Sequence, residues 1–104
     1  MERIAYTVTA TLPDEPTARR YIAWLQDGHV DAVIAGGAHS AMIVRLTDDG
    51  GPGPIRVETR YIFATRELFD RYLTDHAPAL RQEGLALFGP GTGVSFSRTI
   101  GRIV

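Results

Sequence analysis

The stretch RIAYTVTATLPDEPTARRYIAWL, residues 3 to 25, predicts a strand, a turn and a helix in that order. In residues 4 to 12, alternate side chains form two faces, and this two-residue period is typical of a β-strand. Pro13 interrupts the pattern, and Asp14 is a good helix N-cap. Apolar side chains then recur at intervals of three and four residues, which predicts a helix with one apolar face.

The rest of the chain repeats this order. We predict a second strand over 38–47, a turn at DDGGPGP (48–54), a third strand over 55–63, a helix capped by Thr65, a short helix from Pro78 to Phe88, and a last strand over 94–103. The element order is therefore βαββαβ. It predicts an α+β, ferredoxin-like fold, in which a four-stranded antiparallel sheet carries its helices on one face. No linker interrupts the sequence, so we expect residues 1–104 to form a single domain.

Helices on one side leave the other face of the sheet uncovered. The side chains expected there are small, hydroxylated or apolar, with a few charges: Thr7, Thr9, Ala41, Ile43, Ile62, Ser95, Ser97 and Thr99, with Arg56, Glu58 and Arg60. Met42 and Val44 are expected on the helix side instead. We predict that two copies pack these open faces together as a homodimer, because two-fold dimers are the commonest assembly. The alternative is a monomer whose open face is solvated.

Composition excludes several classes of function. The net charge is −1 at pH 7, so no basic field is present to attract nucleic acid. Cysteine is absent, which excludes thiolate chemistry and disulfides. No apolar run is long enough to cross a membrane or to act as a signal peptide, and we predict a cytoplasmic location.

Two histidines lie at the ends of apolar helical stripes. His29 and His76 each follow a stripe residue by four positions, so both are expected to point toward the sheet from the C-terminal end of a helix. The helix dipole and nearby aspartates would favour the protonated imidazole there. Each histidine is either a capping group for the helix end or a general acid–base candidate.

Arg98 is the third candidate for chemistry. It shares its side of the last strand with Val94, Phe96 and Ile100, so a cation is expected among apolar neighbours. It either pairs with a helix carboxylate such as Glu83 or Asp75 or reaches water from the strand end. The functional alternative is that its guanidinium binds an anionic ligand.

Aromatic residues are expected between the helices and the sheet, mainly as core. They are also suited to line a flat apolar pocket. With Arg98, the candidates for binding a ligand are Tyr6, Trp24, Tyr61 and Tyr72. The spacing of His29, His39 and His76 matches no known metal-ligand pattern, and we predict neither a metal nor a cofactor.

Three motifs resemble one family. WLQDGHVDAVIAGG (24–37), YLTDHAPALRQEGLALFG (72–89) and VSFSRT (94–99) are similar to a bacterial family classed as a domain of unknown function, within the dimeric α+β barrel superfamily. HAPALR (76–81) is the most specific part. The resemblance implies a ferredoxin-like protomer whose open sheet face joins that of a second copy. It implies no established activity, since relatives include cofactor-independent monooxygenases, haem-degrading oxygenases, polyketide cyclases and isomerases.

Three functions remain open at the level of sequence. The first is a homodimer that binds a small apolar or aromatic molecule between the helices and the sheet. The second is a cofactor-independent monooxygenase or isomerase, in which His76 or His29 moves a proton and Arg98 stabilises an enolate oxygen. The third is a purely structural dimerisation domain.

Overall fold

A computed structural model describes residues 2–47 and 53–104 of the chain. Its elements, in order, are β1 (Ile4–Leu12), α1 (Glu15–Trp24), a wide helical turn (Leu25–His29), α2 (Val30–Ala35), β2 (Ser40–Arg45), β3 (Ile55–Phe63), α3 (Arg66–Asp75), α4 (Ala77–Phe88) and β4 (Ser95–Arg102). Most of the turn predicted at 48–54 lies outside the described residues. The other predicted elements are present within a few residues of their expected bounds.

The four strands form one antiparallel sheet in the order β2-β3-β1-β4. This is the predicted ferredoxin-like arrangement, with β1 and β3 in the centre of the sheet. Tyr6 lies opposite Tyr61 on β3 and opposite Ile100 on β4. Opposed residues in an antiparallel sheet project to the same face, so this register brings aromatic side chains from separate strands together beneath the helices.

The first helix of each half begins at a predicted N-cap. The Asp14 carboxylate accepts a hydrogen bond from the Thr17 backbone N–H at 2.9 Å, and the Thr65 hydroxyl accepts one from Leu68 at 3.2 Å. Each cap satisfies a backbone donor that the first turn leaves without a helical partner. Both helices therefore start at fixed points after the central strands.

Replacing Thr65 with alanine is expected to lower the free energy of unfolding by about 1 kcal/mol, because α3 loses the hydrogen bond to its first turn. Thr65→Ser is the matched control, since it keeps the hydroxyl. Urea denaturation followed by circular dichroism measures both. Equal stability of the two variants would show that the hydroxyl does not cap the helix.

The core lies between the helices and the sheet in two neighbouring clusters of buried side chains. One is centred on Tyr6, Phe63 and Phe69, and the other contains Tyr21 and Leu25. Phe63 and Phe69 are 0% exposed and their rings pack edge to face at 5.1 Å. The aromatic packing predicted from the sequence is thus the packing of the folded chain.

The facing of β2 differs from the prediction. Ala41 lies opposite Tyr61 and Ile43 opposite Thr59, so both project toward the helices, whereas Met42 lies on the open face and is 58% exposed. The facing is offset by one residue from the prediction, so that Ala41 and Ile43 pack against the core clusters. Arg45 lies on the same side, and its guanidinium donates to the Glu15 carboxylate at 2.9 Å. This interaction lowers the pKa of Glu15.

The open face otherwise carries the predicted residues. Its central strand β1 contributes alternating threonines, Thr7 paired with Thr99 and Thr9 paired with Ser97. On β3, the Arg60 guanidinium donates to Glu58 at 2.8 Å along the same strand. No described helix covers these residues, and this face carries small and hydroxylated side chains together with charged residues and the exposed Met42.

Among the described residues, no helix has both the length and the apolar character needed to span a membrane.

Candidate functional site

A cavity lies where the two core clusters meet, between the helices and the sheet. It has a volume of about 50 Å³. A shallower groove of about 340 Å³ adjoins it between α4 and β4, and four residues line both spaces: Arg81, Leu85, Phe96 and Arg98. The cavity and the groove are therefore adjacent, and aromatic side chains make up much of the cavity lining.

All five residues predicted to bind a ligand line this cavity. The sheet contributes Tyr6, Tyr61 and, from β4, Arg98. The helices contribute Trp24 and Tyr72. Burial raises the pKa of Tyr72 to about 12, and the charges of Arg81 and Arg98 offset part of that rise. Burial also raises the pKa of Tyr61. These phenols are neutral hydrogen-bonding groups at physiological pH.

The Tyr6 hydroxyl lies between two guanidinium groups. Its oxygen accepts a hydrogen bond from Arg81 Nη2 at 3.2 Å and another from Arg98 Nε at 3.1 Å. Within the described residues, neither arginine lies at ion-pair distance from a carboxylate, including the two that were considered for Arg98. Arg98 is exposed, so it does reach solvent as the other interpretation proposed.

Thr59 provides an unpaired polar group at the floor of the cavity. It is 1% exposed, and its hydroxyl has no hydrogen-bond partner of normal geometry within the described chain. Tyr21 lies beside it, and burial raises the pKa of Tyr21 to about 12 although the Thr59 hydroxyl works against this rise. Buried hydroxyls almost always find a partner in the protein, in water or in a ligand.

His29 is a cavity wall residue, but its state differs from the prediction. Its imidazole stacks on the Trp24 indole with ring centroids 3.9 Å apart. Burial lowers the pKa of His29 to about 4, so the ring is neutral at physiological pH and not protonated as the helix dipole suggested. The reason is local geometry: Asp27 and Gly28 leave helical conformation, with φ of 115° at Gly28, and the chain turns the ring inward.

The buried state of His29 predicts a pH-dependent stability. The unfolded state binds a proton at a pKa near 6.5, whereas the folded state does so only near 4, so stability is lost as the pH falls from 6.5 toward 4. After allowance for solvent screening, the loss is about 1–2 kcal/mol. The measurement is urea unfolding at pH 7, 5.5 and 4, relative to His29→Phe, which keeps the stacking and cannot titrate. A difference that is constant over this range would contradict the burial of a neutral imidazole.

His76 lies apart from the cavity. It is exposed, and its ring packs against the end of α2, where a Cβ on Gly36 would lie only 3.0 Å from His76 Cγ. Neither histidine makes a side-chain hydrogen bond to a described residue, so the capping interpretation is not supported. The similar sequence positions of His29 and His76 do not lead to similar surroundings. Within the described residues, no group of three potential metal ligands is present.

Several residues of the site were missed by the sequence reasoning, among them Tyr21 and the three that follow. Thr59 was identified only as part of an inner strand face, although it is the one small polar residue among aromatic and aliphatic neighbours there. Arg81 lies in the HAPALR motif, which was the available signal. Gly84 lies where a Cβ would approach Trp24 Cη2 to 3.3 Å, and it lets α4 pack closely against the indole.

The comparisons with known proteins agree on the fold. The chain is similar to a dimeric ferredoxin-like protein from an uncultured marine organism, with 18% identity, a TM-score of 0.73, and coverage of 100% of this chain and 97% of that one. It also resembles a putative antibiotic biosynthesis monooxygenase from Bacillus cereus (14% identity, TM-score 0.66, coverage 99% and 94%). A third similar structure is SnoaB, a cofactor-independent oxygenase from Streptomyces nogalater (9% identity, TM-score 0.64, coverage 100% and 95%).

At these identities the similar structures indicate a shared ferredoxin-like fold and no shared activity. No curated protein matches the sequence. The model of one family matches residues 3–103, almost the whole length. The chain therefore belongs to DUF4286, a family defined as a domain of unknown function.

Proposed function

We propose that the chain is a single domain, residues 1–104, that forms a homodimer and binds a small aromatic molecule in the cavity of each protomer. The observation that carries this proposal is the buried hydroxyl of Thr59, a residue of the cavity lining, which makes no hydrogen bond of normal geometry within the described chain although the Tyr21 hydroxyl lies near it. A bound molecule with a polar atom at this depth would satisfy it.

The shape of the site supports an aromatic ligand. The indole of Trp24 and the rings of Tyr21, Tyr61 and Phe96 give it flat walls. The cavity alone holds roughly three or four water molecules at its volume of about 50 Å³. A ligand therefore places one ring edge inside and extends into the groove between α4 and β4.

Filling the cavity tests the site. Gly84→Leu adds a side chain that meets the Trp24 indole, and we expect it to weaken binding of 2-naphthol at least tenfold because the ring edge loses its space. Ala86→Leu on the exposed side of the same helix is the matched control. Fluorescence titration of 2-naphthol measures both. Equal affinities, or the absence of binding to the unmodified protein, would contradict the cavity as the binding site.

The dimer is proposed to form through the open sheet face. The face lacks helices in the described chain, and its central strand presents small side chains such as Thr7 and Thr9, which allow close approach of a second sheet. One of the similar structures is a dimeric ferredoxin-like protein, and this likeness supports the same assembly here. In this arrangement the two cavities lie on the outer sides of the dimer, and each one remains accessible.

A second candidate function is cofactor-independent oxygenation, with the His29 imidazole at the cavity wall as the proton acceptor. Burial makes this imidazole a weak base, so proton transfer from an aromatic hydroxyl would depend on a cation such as Arg98 to stabilise the oxyanion. Two similar structures bear oxygenase names. Oxygen uptake with 1-naphthol that exceeds the protein-free rate and is lost in His29→Phe would support this function. Binding without uptake supports a binding protein instead.

A further inference from the structure

We propose that Arg81, Arg98 and the Tyr6 hydroxyl form an anion-binding site that selects aromatic molecules with a carboxylate group. This inference rests on the proposed function and names the class of ligand. The three groups come from α4, β4 and β1, so folding alone brings them together.

Arg81 and Arg98 carry positive charges that no described carboxylate offsets at ion-pair distance. Two guanidiniums that donate to one oxygen lie close enough to repel each other, and the described residues supply no carboxylate to offset this repulsion. Of the other arginines in the described chain, some form an ion pair, such as Arg45 with Glu15 and Arg66 with Asp70, and some do not. Arg81 and Arg98 differ in that both donate to one oxygen. A pair of uncompensated cations at the wall of a cavity is suited to a bound anion.

The two guanidiniums also keep N–H groups that can donate to a ligand. A guanidinium has five N–H groups, and each arginine uses one of them on Tyr6, so both retain donors for a ligand. The Tyr6 oxygen accepts both bonds, and the Tyr6 hydroxyl donates to no acceptor among the described residues, so it can donate to a ligand. Three donor groups therefore converge, and their planar, two-pronged geometry matches a carboxylate.

Arg81 and Arg98 also lie where a ligand in the cavity can reach them. Arg81 and Arg98 line both the inner cavity and the outer groove, so they lie where the two spaces join. A ring that enters between Trp24 and Tyr61 leaves its substituent at this junction. A carboxylate on the ring would meet both guanidiniums there, while the aromatic part remains in the apolar interior.

A matched pair of probes separates this site from the cavity itself. 2-Naphthoate and 2-naphthol share the ring system and differ in the acidic group. By isothermal titration at pH 7 and low salt, we expect the protein to bind 2-naphthoate at least tenfold more tightly than 2-naphthol. Arg81→Gln and Arg98→Gln should each remove about tenfold of the naphthoate affinity and change the naphthol affinity less than twofold. Arg66→Gln, which breaks an exposed pair on α3, should change neither affinity.

The outcomes are distinguishable. If naphthol binds but naphthoate is not preferred, or if the Gln variants weaken both probes equally, the anion site is wrong while the cavity proposal stands. If neither probe binds, the proposed function is contradicted, and the anion site that rests on it is contradicted as well. Sodium phosphate that displaces naphthoate at equal concentration would overturn carboxylate selectivity. Both arginines are exposed, and a thermal melt within 3 °C of the parent protein would confirm that the variants are folded.

Discussion

Replacing Thr9 with arginine is expected to convert the proposed homodimer into monomers, with a dissociation constant raised at least a hundredfold. Thr9 lies on the central strand of the open face, between Glu58 on β3 and Ser97 on β4. In the dimer its side chain would be covered by the second sheet. Glu58 opposite already pairs with Arg60, so the added guanidinium would be buried without a partner of its own, at a cost of several kcal/mol. In the monomer the same side chain reaches water, so the fold itself should tolerate it.

The matched control for this variant is Thr74→Arg, which adds the same charge on the exposed surface of α3. Sedimentation equilibrium over a micromolar concentration range gives the mass of each species. We expect twice the chain mass of 11.4 kDa for the parent protein and for Thr74→Arg, and the single mass for Thr9→Arg. A parent protein that sediments as a monomer, or a Thr9→Arg variant that remains dimeric, would refute an interface on the open face.

Phe69→Ala is expected to cost about 3–5 kcal/mol of the free energy of unfolding. The ring is 0% exposed and lies 5.2 Å from the Tyr6 ring and 5.1 Å from the Phe63 ring, so its removal leaves a void between α3 and the two central strands. Domains of this size are stable by only about 5–15 kcal/mol, and the loss is therefore a large fraction of the total.

The control for Phe69→Ala is Leu87→Ala on α4, whose side chain is 56% exposed and should cost less than about 0.5 kcal/mol. Urea denaturation of both variants measures the difference. Similar midpoints would mean that Phe69 does not hold α3 against the sheet. The void is also expected to loosen Tyr6, so the naphthoate affinity of Phe69→Ala should decrease even where the variant is fully folded.

The central strands and the helix starts were predictable because each of their sequence patterns is compatible with only one local structure. β1 alternates strictly and lies in the middle of the sheet, where one face must be buried. Asp14 and Thr65 are followed by helical stripes, so their capping role was readable from local sequence. Both predictions are confirmed.

The strand β2 was misread because it is an edge strand with apolar residues on both faces. Met42 and Val44 are as apolar as Ala41 and Ile43, so periodicity cannot choose between the two facings. The observed facing lets Ala41 and Ile43 pack against the core clusters, a tertiary contact that no local pattern contains. The exposed Arg45–Glu15 pair adds little to this choice.

The site was only partly predictable for the same kind of reason. Strand parity and helix spacing were sufficient to bring Tyr6, Tyr61, Tyr72 and Arg98 together. The inward turn of His29 depends on Gly28 at positive φ, and an apolar stripe extended as regular helix cannot reveal it. Arg81 reaches Tyr6 across 75 residues of sequence, and this contact follows from the packing of α4 alone.

The most direct test of the ligand site is a nuclear magnetic resonance titration of the unmodified protein with 2-naphthoate. We expect the Thr59 methyl resonance and the side-chain Nε resonances of Arg81 and Arg98 to shift together and saturate at one equivalent per chain. The methyl resonances of Thr7 and Thr9, on the opposite face of the sheet, should remain in place. Shifts confined to the open face, or no change at Thr59, would contradict a ligand site between the helices and the sheet.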